Sequence, residues 1–514
     1  MMIRLGIDVG GTNTDGVLMD ESYRVITSMK TPTTDDVFTG IQTIIQQFAS
    51  HPAVNLEDIQ VATLGTTHCT NAIVERKQLN RVGVIRLSLP SGTTIPPFLG
   101  WPNDLVEALQ PEIALIHGGY EYNGEPISHI RHEELDHVIE QMRGKVESIA
   151  VCGVFSPVLQ DQEKYVVEYL QRAFPNMPIS MSSEIGSVGL IERENATILN
   201  AALMTTIRQV SQGFRRALKE AGIEAAIYLG QNDGTLMTGD YAEQYPIFTI
   251  ACGPTNSIRG AAHLSNVDNA IVVDIGGTTT DIGVLVNSFP RQTSLAVEVG
   301  GVRTNYRMPD IYAIGFGGGT CVTQQNESWK VGPESVGYCL MQEAISFGGE
   351  TLTATDVALA VGELEIEGAD CSRITEPVHD IYPLFTQLVA EAVDRMKTSA
   401  TPIPVILVGG GAALMPTVLE GASEVIRPAH ASVANAVGAA LGDISGTVEK
   451  VYALENITHE DALQQAKEEA IEQAVEAGAE RSKIEVIELE DYPLAYMPGN
   501  AILVKVKVAG PLAL

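Results

Sequence analysis

Two stretches of this 514-residue chain share one pattern. Asp8-Val9-Gly10-Gly11-Thr12-Asn13-Thr14-Asp15 and Asp274-Ile275-Gly276-Gly277-Thr278-Thr279-Thr280-Asp281 both fit D-x-G-G-T-x-T-D. Each follows a β-branched, strand-like run and precedes a second apolar run. Paired glycines let a backbone bend tightly and approach a ligand without Cβ interference. Successive N–H groups in such a bend converge on phosphate oxygens, and threonine hydroxyls add donors. We assign phosphate contact to Gly10, Gly11, Thr12, Asn13 and Thr14, and to Gly276, Gly277, Thr278, Thr279 and Thr280. Asp8 and Asp274, at strand ends, suit Mg²⁺ or its waters, or the orientation of an attacking group. Asp15 and Asp281 give catalytic support. Two such hairpins facing one cleft would grip a triphosphate from both sides. A plain tight turn explains either copy alone; the repetition favours function.

Further motifs add to this pair. Residues 404–412 read as a buried strand running into Gly409-Gly410-Gly411 and then a helix, a near-naked backbone suited to a purine or ribose. Residues 314–320 form another Gly-rich turn, fit for a phosphate or a hinge. His68, in the polar segment 65–76, reads equally as a ligand contact or a packed ring. His129, His132 and His137 have HxxHxxxxH spacing, but a solvated helix face outweighs a metal site there. Cys69 lacks an evident partner base and reads as an inert thiol. Trp101, with Pro96, Pro97 and Phe98, would line a small-molecule pocket or belong to an ordered loop. The acidic run 467–480 is a solvated helix face.

The elements that must position these residues alternate between strands and helices. Strands are expected over 3–9, 16–19, 59–64, 81–87, 148–155 and 178–182, with helices over 39–49, 70–75, 133–142 and 161–173. That alternation predicts a mostly parallel α/β sheet to about residue 185. Residues 88–101 are a Pro-, Gly- and Thr-rich loop. The long helical pattern over 192–221 opens a second domain, with strands at 225–229, 270–274, 283–286 and 405–408. The tail carries a helix at 461–477, strands at 484–489 and 501–508, and a Pro498-Gly499 turn. The expected domains are 1–190, 191–445 and a small α/β appendage, 446–514.

Composition narrows the function. With 32 basic and 64 acidic residues the net charge is −32, which argues against nucleic-acid and anionic-membrane partners. No apolar run nears the ~18 residues of a membrane span, and no secretory signal is apparent. The six scattered cysteines include no CxxC, so free thiols in a reducing cytoplasm are expected.

Hairpin, hairpin and glycine triplet, in that order, resemble the actin-like ATPase superfamily. The finer resemblance is to the hydantoinase A/5-oxoprolinase family, over about residues 3–445. It rests on both hairpins, Gly65-Thr66-Thr67-His68-Cys69-Thr70-Asn71-Ala72-Ile73-Val74-Glu75-Arg76, Cys252-Gly253-Pro254, and Gly315 to Gly319. Thr255-Asn256-Ser257 departs from the family pattern, in which a serine precedes the Gly-Pro pair and an Ala-Gly pair follows. The resemblance implies two actin-like (ribonuclease H-like) domains around a nucleotide cleft, ATP with Mg²⁺ or Mn²⁺, and a cytoplasmic enzyme. It further implies hydrolysis of a cyclic amide such as a hydantoin, 5-oxoproline or another lactam, and a hydantoinase B-like partner subunit. The alternatives are a reactivating or chaperone-like ATPase, a small-molecule kinase, or a carboxylase subunit. Homo-oligomerisation stays open.

Overall fold

The eight-residue repeat is the visible part of a larger duplication. The computed structural model describes residues 2–11, 13–33, 37–52, 54–293, 297–326, 328–455, 457–495 and 500–513. In it, Ile3–Val9 and Asn13–Asp20 form an antiparallel hairpin with Asp8 opposite Asp15. Ala270–Ile275 and Thr280–Val286 form the second, with Asp274 opposite Asp281. The first strand of each hairpin pairs in parallel with a later strand, Ile59–Thr66 in one lobe and Ile403–Val408 in the other. Each of those pairs in parallel with one more, Ala226–Gly230 and Ala422–Ile426 respectively.

The strands form because both faces of each sheet are covered. Ile3, Leu5, Ile7 and Val9 join Ile41, Ile44 and Phe48 of helix Val37–Ala49 in one core, while Val17 and Met19 pack with Ala436, Val437 and Ala440 beneath. On Ile3–Val9 these apolar residues alternate with Arg4, Gly6 and Asp8, and Gly6 lies against Ala436 and Ala440 on the other face.

Two strand placements depart from the sequence reading. Residues 226–238, expected in the second domain, belong to the first sheet. The expected small C-terminal α/β region is present, and its strands join the first sheet. Asp443–Ala453, Ala501–Pro511 and Glu485–Pro493 extend that same sheet, giving it nine strands among the described residues. Strand pairing between distant segments leaves no local trace, which is why neither is legible in the sequence. The Pro498-Gly499 turn lies outside the described residues. The tail helix His459–Glu476 packs Ala462, Ala466, Ala470 and Ala474 against these strands.

The expected parallel sheet to residue 185 is two sheets. Val82–Leu89, Glu112–His117, Ser148–Gly153 and Ile179–Met181 form an all-parallel four-stranded sheet of their own. The 31-residue helix Leu190–Glu220 joins it to the first lobe. Arg86, buried, donates to both carboxylate oxygens of the equally buried Glu194 on that helix. Among the described residues no helix is long and apolar enough to cross a membrane.

Two helices tie the lobes together. Cys252–Ser265 and Ala434–Ala440 cross backbone to backbone. A Cβ on Gly260 would lie 1.9 Å from the Ala434 carbonyl oxygen, and one on Gly438 would lie 1.8 Å from that of Asn256. Only glycine permits that approach.

Candidate functional site

The hairpin tips have matching backbones. Gly10 N–H donates to the Asn13 carbonyl (3.0 Å), and Gly276 N–H donates to the Thr279 carbonyl (2.9 Å). A glycine on the adjoining parallel strand faces the leading aspartate in each lobe. A Cβ on Gly65 would lie 2.1 Å from Asp8 Oδ1, and one on Gly409 would lie 2.3 Å from Asp274 Oδ1. In register Asp8 pairs with Gly65 and Asp274 with Val408, so the close approach comes from the paired residue in the first lobe and from the next one, Gly409, in the second. Gly410 and Gly11 are exposed, with open space where a side chain would project. After the triplet the chain makes a 3-10 turn, Ala412–Leu414, rather than the expected helix. Met415 and Pro416 follow it, and proline cannot continue a helix. The turn at 315–319 braces the second hairpin, as Gly318 and Gly319 N–H donate to the Gly276 and Gly277 carbonyls. Thr12 lies outside the described residues.

The crossing helices supply the polar groups between the hairpins. Asn256 Nδ2 donates to Asp8 Oδ1 (3.2 Å), and Asn435 Nδ2 donates to Asp8 Oδ2 (3.0 Å) and Asp15 Oδ2 (2.8 Å). Ser257, next to Asn256, favours the charged form of Asp274. Lys30, on the strand beyond the first hairpin, pairs with Asp15 at 2.8 Å. Its charge also favours the Asp274 carboxylate.

Each hairpin thus sets two carboxylates directly opposite one another, a destabilising like-charge pair. Burial pushes the Asp8 carboxyl up to about 6, with Asn256 opposing and Asp15 adding. Burial, with Asp274 beside it, pushes Asp281 up to about 7. Burial also raises Asp274, opposed by Ser257 and Lys30. A bound cation relieves such a cluster by favouring the charged forms. Among the described residues no group of three His, Cys, Asp or Glu side chains is preformed to hold a metal. That fits Mg²⁺, which keeps waters and uses one or two carboxylates plus phosphate oxygens. The donor set here suits that ion.

The structure brings together Asp8, Asp15, Asp274, Asp281 and both tips, with Gly409–Gly411 at the end of the second parallel strand. Lys30 and Asn435 have no signal of their own in the sequence, and Asn256 and Ser257 stand out there only as a departure from the family pattern, without a role. The glycines Gly260 and Gly438 inside helices were the available signal. His68 Nδ1 lies 2.7 Å from Thr66 Oγ1, and burial lowers its pKa, favouring the neutral ring. Burial pushes the Cys69 thiol up to about 12, so it is unreactive. His132 packs against Tyr165 and Tyr169 rather than joining a metal cluster. Trp101 is a core residue. It is buried, its indole N–H donates to Asn195 Oδ1, and its ring meets Phe98 edge-on.

Duplicated lobes, mirrored phosphate-type hairpins and crossing helices define the actin-like ATPase fold, two α/β domains around a nucleotide cleft. Within it the chain belongs to the hydantoinase/oxoprolinase family. Residues 4–174 match the hydantoinase/oxoprolinase N-terminal region and residues 193–369 match the hydantoinase/oxoprolinase model. The chain is 26% identical over 391 residues to the caprolactamase subunit alpha of Pseudomonas jessenii, covering 70% of this chain and 54% of that one. It is 25% identical over 391 residues to the acetophenone carboxylase gamma subunit of Aromatoleum aromaticum, covering 70% and 53%. The crystal structure of the ATP-dependent caprolactamase from Pseudomonas jessenii superposes with a TM-score of 0.78 at 20% identity, covering 99% of this chain and 88% of that one. The chain spans about half the length of these curated relatives. The superfamily to which the fold belongs uses ATP with Mg²⁺ or Mn²⁺.

Proposed function

We propose that this chain is the ATP-using component of an enzyme that opens a small cyclic amide, such as a hydantoin or lactam. The observation that carries the reading is the cross-strand aspartate pair repeated in both hairpins around one pair of crossing helices. An amide carbonyl is resonance-stabilised and resists water. ATP with Mg²⁺ or Mn²⁺ supplies the γ-phosphoryl group. Its transfer to the amide oxygen would give an imidate-type phosphate ester; water would add to that carbon, the protonated ring nitrogen would leave to open the C–N bond as an acyl phosphate, and a second water would release phosphate and the carboxylate.

For such a transfer a protein mainly positions and neutralises charge. The backbone N–H groups of Gly11 and Asn13, and of Gly277, Thr278 and Thr279, face the phosphates, while those of Gly10 and Gly276 close the turns. Asp8 and Asp274 hold the metal or its waters, and Asp15 and Asp281 support them. Gly409, Gly410 and Gly411 border the nucleoside. Asn256 and Asn435 fix the Asp8 carboxylate, and Lys30 offsets the local negative charge. The likeness to a caprolactamase subunit supports the amide assignment. A hydantoinase B-like partner subunit completes the reaction in this reading.

The near-equal likeness to an acetophenone carboxylase subunit favours a second reading, a carboxylase component using the same nucleotide cleft. One experiment separates them: phosphate release from ATP against a panel of hydantoins, lactams and ketones, with and without bicarbonate and the co-purified neighbour protein. Ring-opened product tied to ATP use supports the hydrolase. Stimulation by ketones that needs bicarbonate supports the carboxylase. No stimulation by any ring overturns the hydrolase reading.

A further inference from the structure

A cavity lies away from the two hairpin tips. It has a volume of about 670 Å³ and lies where the four-stranded sheet, the first lobe, Gln292, residues 305–307 and the C-terminal region meet. That volume is within the range of small-molecule sites.

Its position follows from topology. Residues 156–160 follow strand Ser148–Gly153, residues 183–187 follow Ile179–Met181, and residues 231–233 follow Ala226–Gly230; all line it. Three strands of two sheets thus point their carboxyl ends at one crevice, the place where α/β sheets bind ligands. Ala226–Gly230 is two strands along from Ile3–Val9 in the same sheet, a separation of about 10 Å by strand spacing. A short route links the two places. Thr255 Oγ1 donates to the Gln231 carbonyl at the cavity wall (3.3 Å), and the next residue, Asn256, holds Asp8.

The lining selects a ligand type. One wall is a run of rings: Tyr241 and Tyr245 have centroids 4.6 Å apart, Tyr245 and Phe248 5.9 Å, and Phe248 and Tyr306 6.4 Å. Such a wall suits a flat or puckered ring. Among the described residues, five lining side chains carry buried polar atoms without a hydrogen-bond partner. Three can donate, the hydroxyls of Ser183 and Tyr306 (4% exposed) and Nη2 of Arg307; two are acceptors, Gln292 Oε1 and Asn305 Oδ1. Buried polar groups are costly to leave unpaired, so mixed orphans favour a ligand offering an acceptor and a donor together. The lining holds six carboxylates against four cationic side chains, which disfavours anions.

We infer that this cavity binds the ring substrate, and that the ring is an uncharged cyclic amide rather than one bearing a carboxylate. The C=O would accept from Tyr306 or Arg307, and the N–H would donate to Asn305 or Gln292. This inference rests on the amide reading above for the ligand's identity.

The test is binding of 2-piperidone, hydantoin and 5-oxoproline to the full chain, followed by ligand-observed NMR without nucleotide. Val158→Trp, which fills the cavity from a surface loop, and Asn305→Ala, which removes one orphan acceptor, are measured beside the wild type. The expected result is binding of the two neutral rings, weakened tenfold or more in Val158→Trp, with Mg-ADP affinity within twofold of wild type. The carboxylate-bearing ring should bind at least tenfold more weakly than the neutral ones. Absence of neutral-ring binding, equal binding of 5-oxoproline, or wild-type binding by both variants would overturn the inference. Ring-stimulated ATP turnover is measured in parallel. Turnover without cavity binding would sink the site while sparing the amide reading. Cavity binding without turnover would support the site and count against that reading.

Discussion

The two hairpins have one backbone and two environments. In the first, Asp8 accepts from Asn256 and Asn435, Asn435 bridges Asp8 to Asp15, and Lys30 pairs with Asp15. In the second, Ser257 and Lys30 favour the Asp274 carboxylate, and burial pushes Asp281 up to about 7 with Asp274 as its charged neighbour. Duplication copied the cradle of N–H groups and the opposed aspartates. The side chains that hold those aspartates differ, because they come from helices and an edge strand outside the repeat. The first hairpin is prepaid in hydrogen bonds; the second depends more on what binds there.

The comparison breaks most completely if either leading aspartate is removed. Asp8→Ala and Asp274→Ala should each lower ATP turnover about a hundredfold or more, with circular dichroism unchanged. Wild-type phosphate release in either variant would remove that residue from the site. Lys30→Ala should follow, at about tenfold to a hundredfold, as the loss of a charge near developing phosphate charge. It should weaken Mg-ATP binding in calorimetry while leaving the adenine-independent fold intact.

Paired glycine substitutions come next. Gly65→Ala and Gly409→Ala each drive a Cβ onto an aspartate oxygen and should cost about 1–3 kcal/mol by overpacking, read by urea denaturation. Gly409→Ala should cost more, because Gly409 also has φ +87°. Gly410→Ala meets nothing within 4 Å, so it should keep stability; reduced nucleotide affinity in that variant would put the ligand against it.

The smallest effect concerns pH. A carboxyl whose folded pKa is raised destabilises the fold progressively as pH climbs from its unfolded value through its folded one. For Asp281 that window runs from about pH 4 to about 7. Asp281→Asn should therefore raise the Tm of the nucleotide-free protein at pH 7.5 by an amount worth about 1–2 kcal/mol after allowing for partial exposure. The gain should vanish near pH 4. Asp8→Asn should gain less, since the Asn256 and Asn435 amides would then face another amide. Equal gains at both positions would erase the contrast between the hairpins.

The sequence disclosed the hairpins and their aspartates because eight consecutive residues recur, and it disclosed most strands because apolar runs are local. It did not disclose Asn256 or Asn435. They stand 248 and 427 residues from Asp8, and single asparagines in helices have no periodic signature. Gly260 and Gly438 were the legible trace, since glycine is costly inside a helix unless another backbone lies against it. The sheet built from residues 3–66, 226–238 and 443–511 was illegible for the same reason of distance, as was the ring-lined cavity it borders.

The interleaving of that sheet has a consequence for synthesis. The second lobe's sheet uses strands from one continuous stretch, residues 270–426, whereas the outer strands of the first sheet come from residues 443–511. Domains fold as units during translation, and long-range pairings form slowly. The later-made lobe can therefore close on itself while the earlier-made one still waits for its final strands. A released chain ending near residue 430 should display a protease-resistant second lobe beside a first lobe with an unpaired rim at Leu236–Thr238.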